Sequence, residues 1–313
     1  MQPAFSVIFL TTLIGAAQGL FLTLYATEIS GWGALSAAEL QPFLAKATLV
    51  ALLFTGLGLL ASFFHLGHPE RAWRSAAMWR TSWLSREVIA LPLFMAGLTV
   101  YGAAHGLGLG ATRWIGAVTV LLCLGLFVAT GMIYASIRFL QEWASPLTLV
   151  NYILLGCASG LTLATLLAAG LGMSMLVTPY ALAAAVCTAL AWVTRSASLL
   201  RNARLKPKST LQSAIGIKHP RIVQKSQGFM GGSFNTREFF HGRTAQMLRS
   251  VKWAFLLMVF PLPLLGLAMG VSAASTVLLI MTFVIQYMGL LAERWFFFAQ
   301  ANHPQNLYYQ TIS

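Results

Sequence analysis

Eight long apolar runs punctuate the chain, at residues 4–26, 46–65, 87–106, 113–137, 149–169, 173–194, 252–270 and 273–296. Each approaches the roughly 20 residues that a helix needs to cross the hydrocarbon core of a bilayer. Within lipid, every backbone N–H and C=O must be satisfied inside the segment, so runs of this length predict helix. The pattern predicts an all-α, polytopic transmembrane helix bundle of about eight spans, a single membrane domain over residues 1–313. Where two runs nearly touch, at Gly170-Leu171-Gly172 and Gly270-Val271-Ser272, Gly and Ser permit a tight reversal. Small residues at Gly15, Ala16, Ala17 and Gly19, and from Ala181 to Ala185, suit close helix contact.

Composition agrees with this reading. Apolar residues make up 58% and charged residues 9%, with a mean hydropathy of +0.75, whereas a water-wetted domain carries about 25% charge. A net charge of +13 on a soluble protein would suggest nucleic acid. Here the cations gather between apolar runs, so membrane lipid is the expected partner and nucleic acid is not. Twelve of the 20 Lys and Arg residues fall between Arg195 and Lys252, and Arg71, Arg74, Arg80 and Arg86 sit between the second and third runs. The segment after the first run holds Glu28, Glu39 and Lys46. With eight spans, both basic segments and both termini share one side, which the positive-inside rule makes cytoplasmic. A long basic cytoplasmic loop is therefore expected at 195–251. Met1-Gln2-Pro3 lacks the basic start of a secretory signal, so the first run reads as a retained span. Cys123, Cys157 and Cys187 are isolated within apolar runs and read as packing residues.

The basic loop changes character along its length. Arg201 to Lys208 is a plain charge run suited to lipid headgroups. Further on, Phe229, Phe234, Phe239 and Phe240 alternate with glycines, and exposed aromatics beside flexible turns suit a surface that docks a partner. The alternative is a loop packed on its own helices.

Ionisable residues near membrane depth are functional candidates because they are costly there. His65 ends the second run and Glu87 opens the third. An imidazole beside a carboxylate offers a hydrogen-bonding group and a proton carrier, as redox chemistry on a quinone requires. The bland reading is that Ser85 caps the third helix while Arg86 and Glu87 anchor it at the interface. Glu293-Arg294 and Arg138 to Trp143 form further polar clusters on the same side. Adjacent on a helix, Glu293 and Arg294 should point apart and need other partners, and Arg294 alternatively snorkels to the interface. Trp73, Trp79, Trp83 and Trp143 fit an interfacial belt. His65 and His68 lie at the opposite end of the third span from His105, so no paired-histidine haem site is expected, and no metal site.

The string HLGHPERAW…WRTSWLSRE over residues 65–87 resembles the dimethyl sulfoxide reductase anchor-subunit family, the membrane subunits of molybdenum oxidoreductases. RFLQEW, AERWFFF and LYY extend the resemblance over most of the chain. It implies a bacterial inner-membrane anchor without haem that binds a quinone, menaquinone or ubiquinone. It also implies an iron–sulfur partner, linked in turn to a catalytic partner that holds molybdopterin. The family's quinone-associated histidine and acid match His65 and Glu87, and Arg71, Arg86 and Arg294 are added here as assisting residues. No catalytic residue is assigned. The cytoplasmic placement and longer basic loop depart from sulfoxide-reducing members and favour the sulfite-oxidising type, with sulfoxide reduction as the alternative. A secondary transporter, which would carry a polar site at the membrane midplane, is the reading from another class.

Overall fold

The computed structural model describes residues 1–31, 35–64, 66–223, 225 and 239–307. Among them, eight helical units are long and apolar enough to span a membrane. They are α1 (Phe5–Ser30), α2 (Ala37–Phe63), α3 (Trp83–Gly106), α4 (Thr112–Ala135), α5 (Pro146–Gly170) and α6 (Ser174–Ala203). A short α7 (Leu211–Ile215) lies in the basic loop; α8 (Ala245–Val259) and α9 (Pro261–Ser272) together form the seventh span, and α10 (Thr276–Ala299) the eighth. No strand occurs among the described residues. Capping explains several starts: Ser82, Ser145, Thr244 and Ser275 each accept a backbone N–H from the first turn, satisfying donors that a helix end leaves unpaired.

The helices run past the apolar runs that announce them. α1 continues to Ser30, α6 to Ala203, and α8 begins at Ala245, so the inter-helix segment spans 204–244 rather than 195–251. The reason lies in pairing. Glu28 and Arg195, which charge alone places in loops, are both buried in helices because partners on other helices meet them.

The seventh span is interrupted at Phe260, whose backbone (φ −114°, ψ −78°) departs from the helix. Pro261 and Pro263 follow. Neither can donate a backbone hydrogen bond, so the ladder breaks at this point. Phe260 is fully buried and stacks on Trp192, which holds the bend against α6.

α1 is the central helix, packed against α2, α4, α5 and α10. Its approach to α5 is backbone to backbone. A methyl at Gly19 would lie 2.2 Å from the Gly156 carbonyl oxygen, and one at Gly160 would lie 2.1 Å from the Leu20 nitrogen. Gly15 and Gly19 on α1, and Gly156 and Gly160 on α5, are each four residues apart and so share a face. This is the small-xxx-small packing of membrane helices. Phe21 then fills the space towards α3, edge-on to Phe94 and Tyr101.

Candidate functional site

One end of the bundle, called here the basic end, carries the start of α1, the ends of α4, α6 and α10, and the starts of α3 and α5. In the second turn of α3, Glu87 is buried and accepts a hydrogen bond from Thr130 of α4 at 2.5 Å. One turn beyond Thr130 lies Tyr134, stacked at 6.3 Å on Tyr152 of α5. The guanidinium of Arg294 on α10 sits 4.4 Å over the Tyr152 ring and 5.0 Å from that of Phe297. Glu87, the Thr130–Tyr134 turn, Tyr152 and Arg294 thus follow one another across α3, α4, α5 and α10.

Behind Arg294 lies a buried ion cluster. Glu293 receives Arg195 of α6 at 2.7 Å on one carboxylate oxygen and Arg294 at 2.8 Å on the other. Adjacent positions on a helix are expected to point apart, with Arg294 reaching for the interface. The structure differs on both points. The long Arg294 side chain folds back along α10 onto Glu293, and all three groups are buried. Two guanidinium groups share one carboxylate, and Arg294 Nη1 and Arg195 Nη2 have no hydrogen-bond partner in the protein. Ring contacts with Tyr152, Phe297 and Phe255 offset part of the cost of burying this charge.

The other residues singled out from sequence fall elsewhere. His65, Phe229 and Phe234 lie outside the described residues. Arg71 is exposed and pairs with Glu70 at 3.7 Å, which also meets His68 at 3.0 Å. Arg86 donates to the carbonyls of Trp79 and Arg80 and stacks over Trp83 at 4.1 Å, clamping the loop onto α3. Glu87 and Arg294 therefore share a neighbourhood, while Arg71 and Arg86 are engaged with the loop. Phe239 stacks face to face on His303 at 3.8 Å, and Phe240 is buried. Both line a cavity of about 480 Å³ with Met1, Glu142, Asn302 and Asn306. Burial, together with the nearby chain ammonium, holds the His303 imidazole below its ordinary range.

A second polar cluster, unforeseen from sequence, closes the opposite end. Glu28 of α1 accepts from Tyr101 of α3 at 2.8 Å and from Thr112 of α4, with His105 Nε2 3.6 Å away. Eighteen residues of α3 separate Glu87 from His105, a rise of about 27 Å. The two clusters therefore occupy opposite membrane boundaries. Among the described residues, no three His, Cys, Asp or Glu side chains gather as they would around a metal ion.

Comparison with known proteins fits this architecture. The model of a family described as "DMSO reductase anchor subunit (DmsC)" matches residues 1–300. The chain belongs to that family. Within it, the DmsC-family chain is 51% identical to a protein named as the C subunit of a sulfite dehydrogenase, from Allochromatium vinosum. That match extends over 326 aligned positions and covers the whole of both chains. By that description the DmsC-family chain is an anchor subunit, and its eight apolar helices are of the length that crosses a membrane.

Proposed function

We propose that this chain is the quinone-reactive membrane anchor of a cytoplasmic sulfite-oxidising complex in a bacterial inner membrane. The observation that carries the reading is the full-length likeness to the C subunit of a sulfite dehydrogenase, more specific than the family description. In this reading an iron–sulfur subunit docks on the basic, cytoplasmic end, and a molybdopterin subunit beyond it oxidises sulfite. Oxidation of sulfite to sulfate with water releases two electrons and two protons. The membrane quinone takes up two electrons and two protons to become quinol.

The chain's own residues would bind the quinone oxygens and move the protons. Glu87 is the group that exchanges a proton, with Thr130 fixing its orientation. His65, carried over from the family pattern, is the imidazole partner. Arg294 and Tyr152 supply donors from the facing helices: each has a buried polar atom without a well-formed partner, the condition expected where a ligand oxygen completes the site. Arg71 and Arg86 serve the loop and its approach rather than the ring. Phe239 and Phe240 line the basic-end cavity that a docking partner would cover, and Phe229 and Phe234 are proposed to add to that docking surface.

The test is sulfite-dependent quinol formation in membranes with and without the chain, with metal analysis of what co-purifies. Molybdenum and iron should accompany the chain, and quinol formation should require it. Sulfite-dependent quinol formation that persists without the chain would overturn the reading. The family description favours one second reading, quinol oxidation coupled to reduction of a sulfoxide. It predicts quinol-dependent turnover of dimethyl sulfoxide in the same membranes.

A further inference from the structure

Between α1, α5 and α10 lies a crevice walled by Thr11, Thr12, Tyr152, Ser159, Leu290 and Arg294. Gly15 and Gly156 form its floor, so it exists because α1 and α5 meet backbone to backbone. Its free volume is about 20 Å³, enough for one oxygen-sized group, since a water needs at least about 10–15 Å³. Its polar walls are not self-satisfied. Thr11 gives its proton to the Ile8 carbonyl, Ser159 to those of Leu155 and Gly156, and Thr12 to Ile8 while meeting the Tyr287 hydroxyl. The Tyr152 hydroxyl makes no well-formed hydrogen bond, and neither does Arg294 Nη1. Both side chains are more than nine-tenths buried. Tyr152 reaches no closer partner than Thr11, and two donors without a well-formed bond at an oxygen-sized space call for an acceptor, because a buried polar group without a partner is costly.

We infer that this crevice is the pocket for one carbonyl oxygen of the quinone, with Tyr152 and Arg294 as its hydrogen-bond donors. The inference deepens the proposed function and rests on it. Leu290 and Leu155 are the apolar members of the wall, following the usual build of small-molecule sites: mostly apolar, with few polar groups that set orientation. Tyr134, stacked on Tyr152, lies one helical turn from Thr130, which bonds the acid. Glu293 and Arg195 are positioning residues. By holding Arg294 Nε, the carboxylate fixes the guanidinium over Tyr152.

The experiment uses the intact complex in membranes and a short-chain quinone as the probe. Tyr152→Phe removes only a hydroxyl without a well-formed protein partner, so assembly and activity with an artificial soluble electron acceptor should stay at wild-type levels. The KM for the short-chain quinone should rise about five- to tenfold, the factor that one hydrogen bond supplies. Tyr287→Phe, which removes a hydroxyl that bonds Thr12 but does not itself line the crevice, should leave KM unchanged. Glu87→Gln runs in parallel. If it abolishes quinone turnover while Tyr152→Phe keeps a wild-type KM, the crevice holds a structural water only; the pocket assignment falls and the proposed function stands. If the wild-type complex neither reduces nor binds the short-chain quinone, the proposed function itself fails and takes the pocket with it.

Discussion

At the scale of single residues, the basic end is organised by groups that cannot afford to lose a partner. Glu87 has Thr130, and Glu293 has two arginines from two helices. Removing one member of a buried ion pair leaves an uncompensated charge and typically costs about 3–5 kcal/mol. Glu293→Ala should therefore lower the thermal midpoint of the purified anchor markedly, and Glu293→Gln should lower it less. A midpoint unchanged in both would mean that the cluster is solvated. Glu87→Gln preserves shape and keeps an acceptor for Thr130, so assembly should survive while quinone-linked electron transfer falls by at least tenfold. Activity of the soluble subunits with an artificial mediator should be untouched. Normal quinone turnover in that variant would move the proton-exchanging role away from Glu87.

Helices and loops show what a linear pattern can and cannot convey. The eight spans are legible because about 20 apolar residues in a row have few alternatives. The helix ends are less so: Arg195 reads as the first residue of a basic loop until α10 supplies Glu293, 98 positions later. Glu28 likewise reads as a loop carboxylate until α3 and α4 supply Tyr101 and Thr112. Pairing across the bundle, invisible to a hydropathy window, decides both. The glycine face of α1 is visible as small residues, but its partner face on α5 is not. At Gly160 an added methyl meets α1 backbone rather than a flexible side chain. Gly160→Ala should cost about 1–3 kcal/mol, as overpacking does, whereas Gly125→Ala, which meets open space, should be neutral. Thermal melting of the two variants side by side checks this.

The loop-side seat of Phe239 on His303 carries a pH dependence. The stacked imidazole binds a proton less readily than a released one. The stacking contribution is therefore fully present above the ordinary imidazole range, and it is lost as the pH falls through that range. Limited proteolysis of the 204–244 segment should be faster at pH 5.5 than at pH 7.5. A His303→Phe variant, unable to take up a proton, should flatten the difference.

For the molecule as a whole, the two polar clusters mark two membrane boundaries, and only one faces the basic segments. Reporter fusions at Ser209 and at the C-terminus should both score cytoplasmic, and a periplasmic signal at either would invert the scheme. If the basic end is cytoplasmic, electrons and protons reach the quinone from one compartment. Turnover with a cytoplasmic substrate should then generate little membrane potential, which a potential-sensitive dye in inverted vesicles would report.

The enclosure of α1 also bears on how the protein is made. Buried residues make up 78% of its most apolar window, against 33–56% in the other seven spans. Yet it leaves the ribosome before every helix that covers it. Its Thr11 and Thr12 face is covered only when α5 and α10 arrive, and α10 is synthesised after the other seven spans. Until then the nascent chain must shelter a helix suited to protein neighbours, not to lipid. A chain stopped after Ser272 should insert its first seven spans and still be cleared by membrane proteases. Supplying Thr276–Ser313 as a separate fragment should restore its lifetime in a pulse–chase.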